Sequence, residues 1–484
     1  MKYLIVILFL LNGLSSSAQS VTFNKTYNYG VDGLFNIVQK DSSYYGLIDA
    51  GYFPSYLQFT KLDYNGDIVF SKKYGDSTDY YGYYSLIPLN DSTLISGAYL
   101  YHQSTLNAVT SLTYFNFNGD TINQKEYYAP TGFDFYSGFI NKATNNSIIA
   151  TGEITDSAVT DGNVFISKID SAGNFLWHNS YGGNLFDSGV SSIETPDGGF
   201  LTLGWTRSFG FGNINNRDML LVKWDSTGNF VWKKTYGTIN IDGGTGISST
   251  LDGNYLLSGY KGTSTNDGRG WIIKIDTAGV ILWEQTYGYN TSELWWAKEA
   301  TDKSIIAVGS ITDTVNQKDQ GWIIKIDSLG NLLWSRTFQW NNNHSYFRDV
   351  TYAEDGGVIC AGFVFRGTSN TQDAWLVKLD SLGCDSVGCP NYTSVGIPTV
   401  HQKEINFFEL YPNPVKENLL VKFTFPMFTV IQWAVYDLQG RVVLNGNEFT
   451  REMLSINTTT LQQGLYILKI TAEGINYSSM FVKE

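Results

Sequence analysis

The sequence predicts an all-β protein: a seven-bladed β-propeller of four-stranded blades, followed by a small immunoglobulin-like β-sandwich. Three observations carry this expectation. The twelve residues IIKIDTAGVILW at 272–283 return almost unchanged as IIKIDSLGNLLW at 323–334. Their K-x-D core recurs through most of the chain at intervals of 51–55 residues, a period that marks a solenoid, a propeller or an array. The composition is rich in aromatics (15%), poor in charge (16%) and has 49 Gly against 9 Pro, which suits short strands and tight turns.

The chain opens with Lys2, an apolar run from Leu4 to Leu11, and the small residues Ser15 to Ala18. This pattern predicts a secretory signal peptide over residues 1–18, because the run is too short to span a bilayer. No later stretch is apolar enough to cross a membrane, so no transmembrane segment is expected in the mature chain. With 32 basic against 45 acidic residues, the protein lacks the basic surface that a nucleic-acid partner requires.

Residues 19–383 are assigned to the propeller. The K-x-D copies begin at Lys61, Lys168, Lys223, Lys274, Lys325 and Lys378, and a degenerate copy, Tyr114–Asn116, fills the one gap. In the fourth copy, strand-like runs cover Gly189–Thr195, Phe200–Thr206, Met219–Asp225 and Asn229–Tyr236. They are joined by Asp-Gly and D-S-T-G turns, both strong hairpin and turn chemistry. Strands such as WIIKI are apolar on both faces, as expected of sheets packed between sheets. A glycine recurs late in the second strand, at Gly97, Gly152, Gly204, Gly259, Gly309 and Gly362, where a missing side chain lets an adjacent sheet approach.

The last copy stops after its third strand, whereas the start of the mature chain, VTFNKTYNYG, has the form of a fourth strand. Val21–Asn28 is therefore expected to complete the last blade beside Ala374–Asp380, leaving no open sheet end. The strings WKKTYG (232–237), DGGF (197–200) and WIIKIDTAG (271–279) resemble the large propeller repeats of secreted Bacteroidetes proteins over residues 21–383. That resemblance implies a scaffold and no particular activity.

Cys384 and Cys389 lie in GCDSVGCP within a linker assigned to residues 384–404, and a local disulfide is expected in an oxidising compartment. Cys360 reads as a small buried apolar residue. Past the linker the repeat is lost. Residues 405–484 contain Tyr411-Pro412-Asn413-Pro414, then YDLQGR with Asp437 and Gly440, then Leu461-x-x-Gly464-Leu465-Tyr466. These motifs, in this order, resemble the type A C-terminal sorting domain of type IX secretion. The resemblance implies that residues 405–484 engage the type IX machinery, and that the domain is removed at the surface. It also implies a mature protein that is secreted or attached to the outer membrane. Pro412 and Pro414 would fix the entry into the sandwich and Gly440 a tight turn.

Catalytic strings are missing: there is no G-x-S-x-G elbow, H-E-x-x-H pair or phosphate loop, and no catalytic residue, metal or cofactor is assigned. Asp79, Asp134, Asp187, Asp242, Glu293 and Asp349 fall in the connections between successive blades. Two of them could act as the acid and base of a polysaccharide hydrolase, although turn and capping roles explain them more simply. The same connections are aromatic. Rings beside amides and carboxylates suit sugar recognition, so Tyr80, Tyr81, Phe133, Trp340 and His344 are the ligand-binding candidates. Tyr83, Tyr84, Trp295 and Phe347 are expected in the core. The repeated Lys and Asp of K-x-D, and Trp177, Trp232, Trp283 and Trp334, are expected to be structural. The leading functional expectation is an exported module that binds a glycan or a surface protein. A hydrolase and a purely structural surface protein are the alternatives.

Overall fold

Turn chemistry converts the repeat into sheets. The computed structural model describes residues 21–385 and 408–484, apart from 29–33, 50–56, 76–78, 103, 106, 130–132, 157–158, 213–215, 265–266, 290, 367–370, 424–428, 438–440, 451–452 and 473–474. The expected leader and Cys389 lie outside these residues. The chain divides into two compact units, Met1–Ser394 and Val395–Glu484.

Among its described residues the first unit holds seven four-stranded antiparallel sheets. The fourth is representative, with strands Asp187–Glu194, Phe200–Thr206, Asp218–Trp224 and Phe230–Tyr236 in that order. The all-β class and the four-stranded unit are borne out. The third strand is wholly buried, while the fourth is mostly exposed or half-buried. Each sheet packs its apolar face on the next: Leu201, Leu203 and Leu221 of one meet Ile247, Leu257 and Ile273 of its neighbour. Full burial of one such side chain is worth about 1.5–3 kcal/mol.

The first sheet also touches the last, through Leu34–Lys40 against Ser345–Tyr352 and Val358–Phe365. That last sheet is composite. Phe23–Tyr27 pairs antiparallel with Gln372–Leu379, with Phe23 opposite Lys378 and Tyr27 opposite Ala374. A tyrosine ending a fourth strand donates to the carbonyl of a turn glycine in the next sheet. Tyr127 reaches Gly173 at 2.9 Å, Tyr236 reaches Gly279 at 2.7 Å, and Tyr287 reaches Gly330 at 2.7 Å. Tyr27 makes the same bond to Gly66 at 2.7 Å, from the last sheet to the first.

The repeated Lys and Asp have separate structural jobs. Each Asp accepts from the turn that follows it: Asp225 takes the Thr227 and Asn229 N–H groups at 2.8 and 2.9 Å. The degenerate copy keeps this device, with Asn116 accepting from Asn118 and Asp120 at 2.9 Å. The Lys pairs with the Asp of its own sheet's first turn: Lys223 with Asp197 at 2.8 Å, Lys274 with Asp252 at 2.7 Å, Lys378 with Asp355 at 2.7 Å. Lys168 instead reaches Glu194 of the following sheet at 3.6 Å. Trp177 and Trp334 pack under turn glycines of the next repeat, Gly228 and Gly383, as outer-strand packing requires.

The recurrent second-strand glycine answers a different need from the one expected. A Cβ at Gly204, Gly259 or Gly309 would lie 1.9 Å from a carbonyl oxygen of the first strand in the same sheet, not from a neighbouring sheet. The cause is a β-bulge in every first strand, where the register slips by one residue. The close approach between sheets falls instead at Gly189 and Gly244, each facing a glycine carbonyl of the preceding sheet. Gly97 stands apart from the set: in its sheet the exchange is reversed, with Gly82 giving room to the Tyr99 ring.

The second unit is a sandwich of a three-stranded and a four-stranded sheet. Leu419, Val421, Leu454 and Ile456 from one sheet close on Ile431, Val435, Leu468 and Phe481 from the other.

Candidate functional site

The seven bulges decide what the ring places at its axis. The extra residues are Phe35, Tyr83, Gly138, Val190, Thr245, Trp295 and Arg348, at equivalent points of the seven first strands. A bulge re-aims the side chain it carries. First strands of all seven sheets line a cavity of about 520 Å³, and Thr245, Trp295 and Arg348 are among its lining residues.

Charge is concentrated on one side of this cavity. The Arg348 guanidinium lies 3.4 Å from the Trp295 ring centroid, a cation–π contact, with Glu293 3.8 Å away. Glu293 in turn accepts from the Trp295 indole at 2.6 Å and from Ser310 at 3.2 Å. One residue past Arg348, Asp349 is buried and accepts from the Val350 N–H at 2.8 Å, from Asn36 at 3.0 Å and from Lys298 at 3.3 Å. Trp296 lies alongside, its indole N–H buried without a hydrogen-bond partner. An aromatic wall beside fixed charges and amides can grip a polar ring compound on both its apolar and its polar sides.

The residues expected at the rim are placed less uniformly. Tyr80 and Tyr81 belong to strand Asp79–Asn90 and Phe133 opens strand Phe133–Lys142, but their side chains lie outside what is described. Trp340 is half-buried against the core and lines a separate shallow pocket with Lys25, Tyr27 and Asp67. His344 is tied to Asp319 at 2.9 Å, and Asp319 also accepts from Tyr346 and Thr312. Phe347 is core, as expected. Trp295 is not, because the bulge turns it toward the axis.

The four blade-connecting acids whose side chains are described, Asp187, Asp242, Glu293 and Asp349, do not form a ring of chemistry; those of Asp79 and Asp134 lie outside what is described. Asp187 and Asp242 are fully buried and cap loops: Asp187 accepts from Gly183 at 2.8 Å, Asp242 from Gly262 at 2.6 Å. Asp349 lies past its bulge, at the axis, and Glu293 before its own. An unforeseen partner, Asp218, is also fully buried and sits against Asp242. Burial, with the Asp242 carboxylate adjacent, pushes Asp218 up to about 6. No solvent reaches either carboxylate. Among the described residues no group of three or more His, Cys, Asp or Glu is placed to hold a metal ion.

In the second unit, Asn413 pins its motif to the last strand, donating to the Met480 carbonyl at 3.3 Å and accepting from the Val482 N–H at 2.8 Å. Tyr411 reaches the Met453 sulfur at 3.5 Å, and Tyr466 donates to the Gln462 carbonyl at 2.9 Å. Asp437 clamps Arg441 at 2.8 Å, while Gly440 lies outside the described residues. Residues 409–484 match the family model of the secretion system C-terminal sorting domain. The chain carries a sorting tail. It is therefore a secreted or surface-attached protein, and the tail implies engagement of the type IX machinery. Among the described residues no helix is long and apolar enough to cross a membrane.

No curated protein matches the sequence. Among solved structures, the chain is similar to a polysaccharide lyase at 10% identity, over 75% of this chain and 93% of that one, with a TM-score of 0.44. The β-propeller domain of the Trilobed protease from Pyrococcus furiosus matches at 7% identity, over 75% and 100%, also with a TM-score of 0.44. A family 43 β-1,3-galactosidase matches at 10% identity, over 75% and 95%, with a TM-score of 0.33.

Proposed function

We propose that this protein is an exported seven-bladed propeller, closed by its N-terminal strand, that binds a glycan in its axial cavity. The domain plan is a signal peptide over 1–18, the propeller over 19–383, a linker over 384–404 with a Cys384–Cys389 disulfide, and a removable sorting domain over 405–484. The observation that supports binding is the axial grouping of Trp295, Trp296, Arg348, Lys298, Asp349 and Asn36. In this ring the outer turns repeat, whereas that grouping occurs in one sector only. Aromatic faces cover the apolar faces of a sugar, and amides and charges bond its hydroxyls. The rim residues Tyr80, Tyr81, Phe133, Trp340 and His344 remain part of the proposal as outer contacts for a longer chain.

A glycan array probed with the full chain tests this directly. Trp295→Ala is expected to abolish specific binding, and Trp340→Ala or Tyr80→Ala/Tyr81→Ala to weaken only longer ligands. Silence across the array, or binding indifferent to Trp295, would sink the axial reading. The hydrolase alternative receives no comparable support: the Asp218–Asp242 carboxylate pair is fully buried.

A further inference from the structure

We infer that the axial cavity selects an anionic sugar, one bearing a carboxylate or a sulfate, over its neutral counterpart. This rests on the ligand-binding reading above and names the class of ligand. The argument is an inventory of donors and acceptors around the cavity wall.

The acceptors are consumed internally. A carboxylate offers about four lone-pair sites. Asp349 has all of them addressed: Oδ1 by the Val350 N–H at 2.8 Å and Lys298 at 3.3 Å, Oδ2 by Asn36 at 3.0 Å and the Ile37 N–H at 3.3 Å. The Asn36 carbonyl oxygen accepts from the Leu86 N–H at 3.0 Å, and that of Gln39 from the Glu354 N–H at 3.2 Å. These three side chains have spent their acceptor oxygens within the wall.

The donors are not consumed. Lys298 carries three N–H bonds and spends one on Asp349; its side chain is one-third exposed. The Gln39 amide nitrogen, the Trp296 indole N–H and the Ser191 hydroxyl are buried among the lining residues with no partner. Ser191 is only 1% exposed, so this hydroxyl has lost its water without gaining a bond. An unpaired buried polar group costs about 1–3 kcal/mol, a cost that a bound acceptor repays once these side chains turn to meet it. Two cations, Lys298 and Arg348, line the cavity; Asp349 is held by the first, and Glu293, which is not among the lining residues, lies 3.8 Å behind the second. A neutral sugar brings hydroxyls that both donate and accept, and here its donors would find the Asp349 carboxylate and the Asn36 oxygen already engaged. A carboxylate or sulfate brings acceptors alone, and charge-assisted bonds are the stronger kind. The selectivity is local, because the chain as a whole carries a net charge of −13 that repels anions.

Titration calorimetry on the full chain separates the outcomes, with tetragalacturonate, galactotetraose and a chondroitin sulfate tetrasaccharide as probes. The uronate or the sulfated probe should bind at least about tenfold more tightly than the neutral one, and its affinity should fall as sodium chloride rises. Comparing the two acidic probes tells carboxylate from sulfate. Lys298→Met should cost about tenfold or more, and Lys298→Arg should restore binding. Removing Lys298 strips Asp349 of a partner, so Arg348→Gln carries the test if the first variant does not fold. Equal or tighter binding of galactotetraose overturns the anion inference and leaves the glycan reading standing. Acidic binding that ignores both variants places the site elsewhere and also overturns it. No binding by any probe removes both.

Discussion

The turns at the outer edge of the ring and the strands at its axis are built by opposite rules. At the edge, sheet after sheet repeats one solution: an Asp capping its own turn, a Lys held by an Asp, a Tyr bonded to the next sheet's glycine. At the axis only the backbone repeats. The bulge occurs in all seven first strands, but the residue it carries runs from Gly138 to Trp295 to Arg348. The edge varies little, with exceptions at Lys168 and at the degenerate copy Tyr114–Asn116, because each sheet faces a similar packing problem. The axis is individual, and its paired charges and unpartnered donors are poor choices for stability alone.

The sharpest way to break this comparison is to damage the edge. Lys378 is fully buried against Asp355, so Lys378→Met should destabilise the first unit by about 3 kcal/mol, because it takes the buried cation from a carboxylate that is only 17% exposed. Chemical denaturation measures this, and a change within error would refute the structural role. Next in size is Gly309→Ala, whose Cβ would meet the Glu293 carbonyl at 1.9 Å. A loss of about 2–3 kcal/mol is expected, from strain that only a backbone shift can relieve.

The Asp218–Asp242 pair supplies a pH test between the two regions. Asp218 is raised in the folded state, so the stability it contributes is complete below its ordinary range near 4 and is lost as pH rises through about 6. Thermal melts across that window should show the first unit weakening, and Asp218→Asn should flatten the slope. A slope unchanged in the variant would assign the effect to other groups. Tyr236→Phe is milder, removing one bond to the Gly279 carbonyl for about 1 kcal/mol. The smallest effect is expected at the axis: Ser191→Ala removes a hydroxyl that has no partner, and should leave stability level or raise it by up to about 1 kcal/mol. A marked loss there would mean the axis is scaffold after all.

Much of the edge was legible in the sequence because hydrogen-bonded turns leave letters behind. D-x-x-G and the second-strand glycines mark positions where a capping oxygen or a missing Cβ is needed, so the period and the strand order could be read directly. The glycines were visible but their reason was not, since a bulge is a register fact between two strands and has no letter of its own. For the same reason Trp295 read as core, and Arg348 and Asp349 were not seen as neighbours of Lys298 and Asn36. Those residues meet only when distant sheets converge. The run ELWWAK was a hint only in retrospect, because successive strand residues face opposite sides and a bulge is what lets Trp295 and Trp296 line the same cavity. Asp218 was missed altogether, as its pairing with Asp242 joins the start of a third strand to the connection that leads into the next sheet.

The composite last sheet bears on the order of events during folding. Asn24 accepts a hydrogen bond from the Trp375 indole at 2.7 Å, across 351 residues of chain. Loop-closure entropy grows only with the logarithm of length, so this distance adds modestly to the cost of closing the seam. Rate is another matter, because contacts so remote in sequence form slowly. Six sheets draw all four strands from one continuous stretch of chain and can form by local pairing, while the seventh waits for both ends. Strand Phe23–Tyr27 is thus expected to pair last, once the three strands that share its sheet have been made.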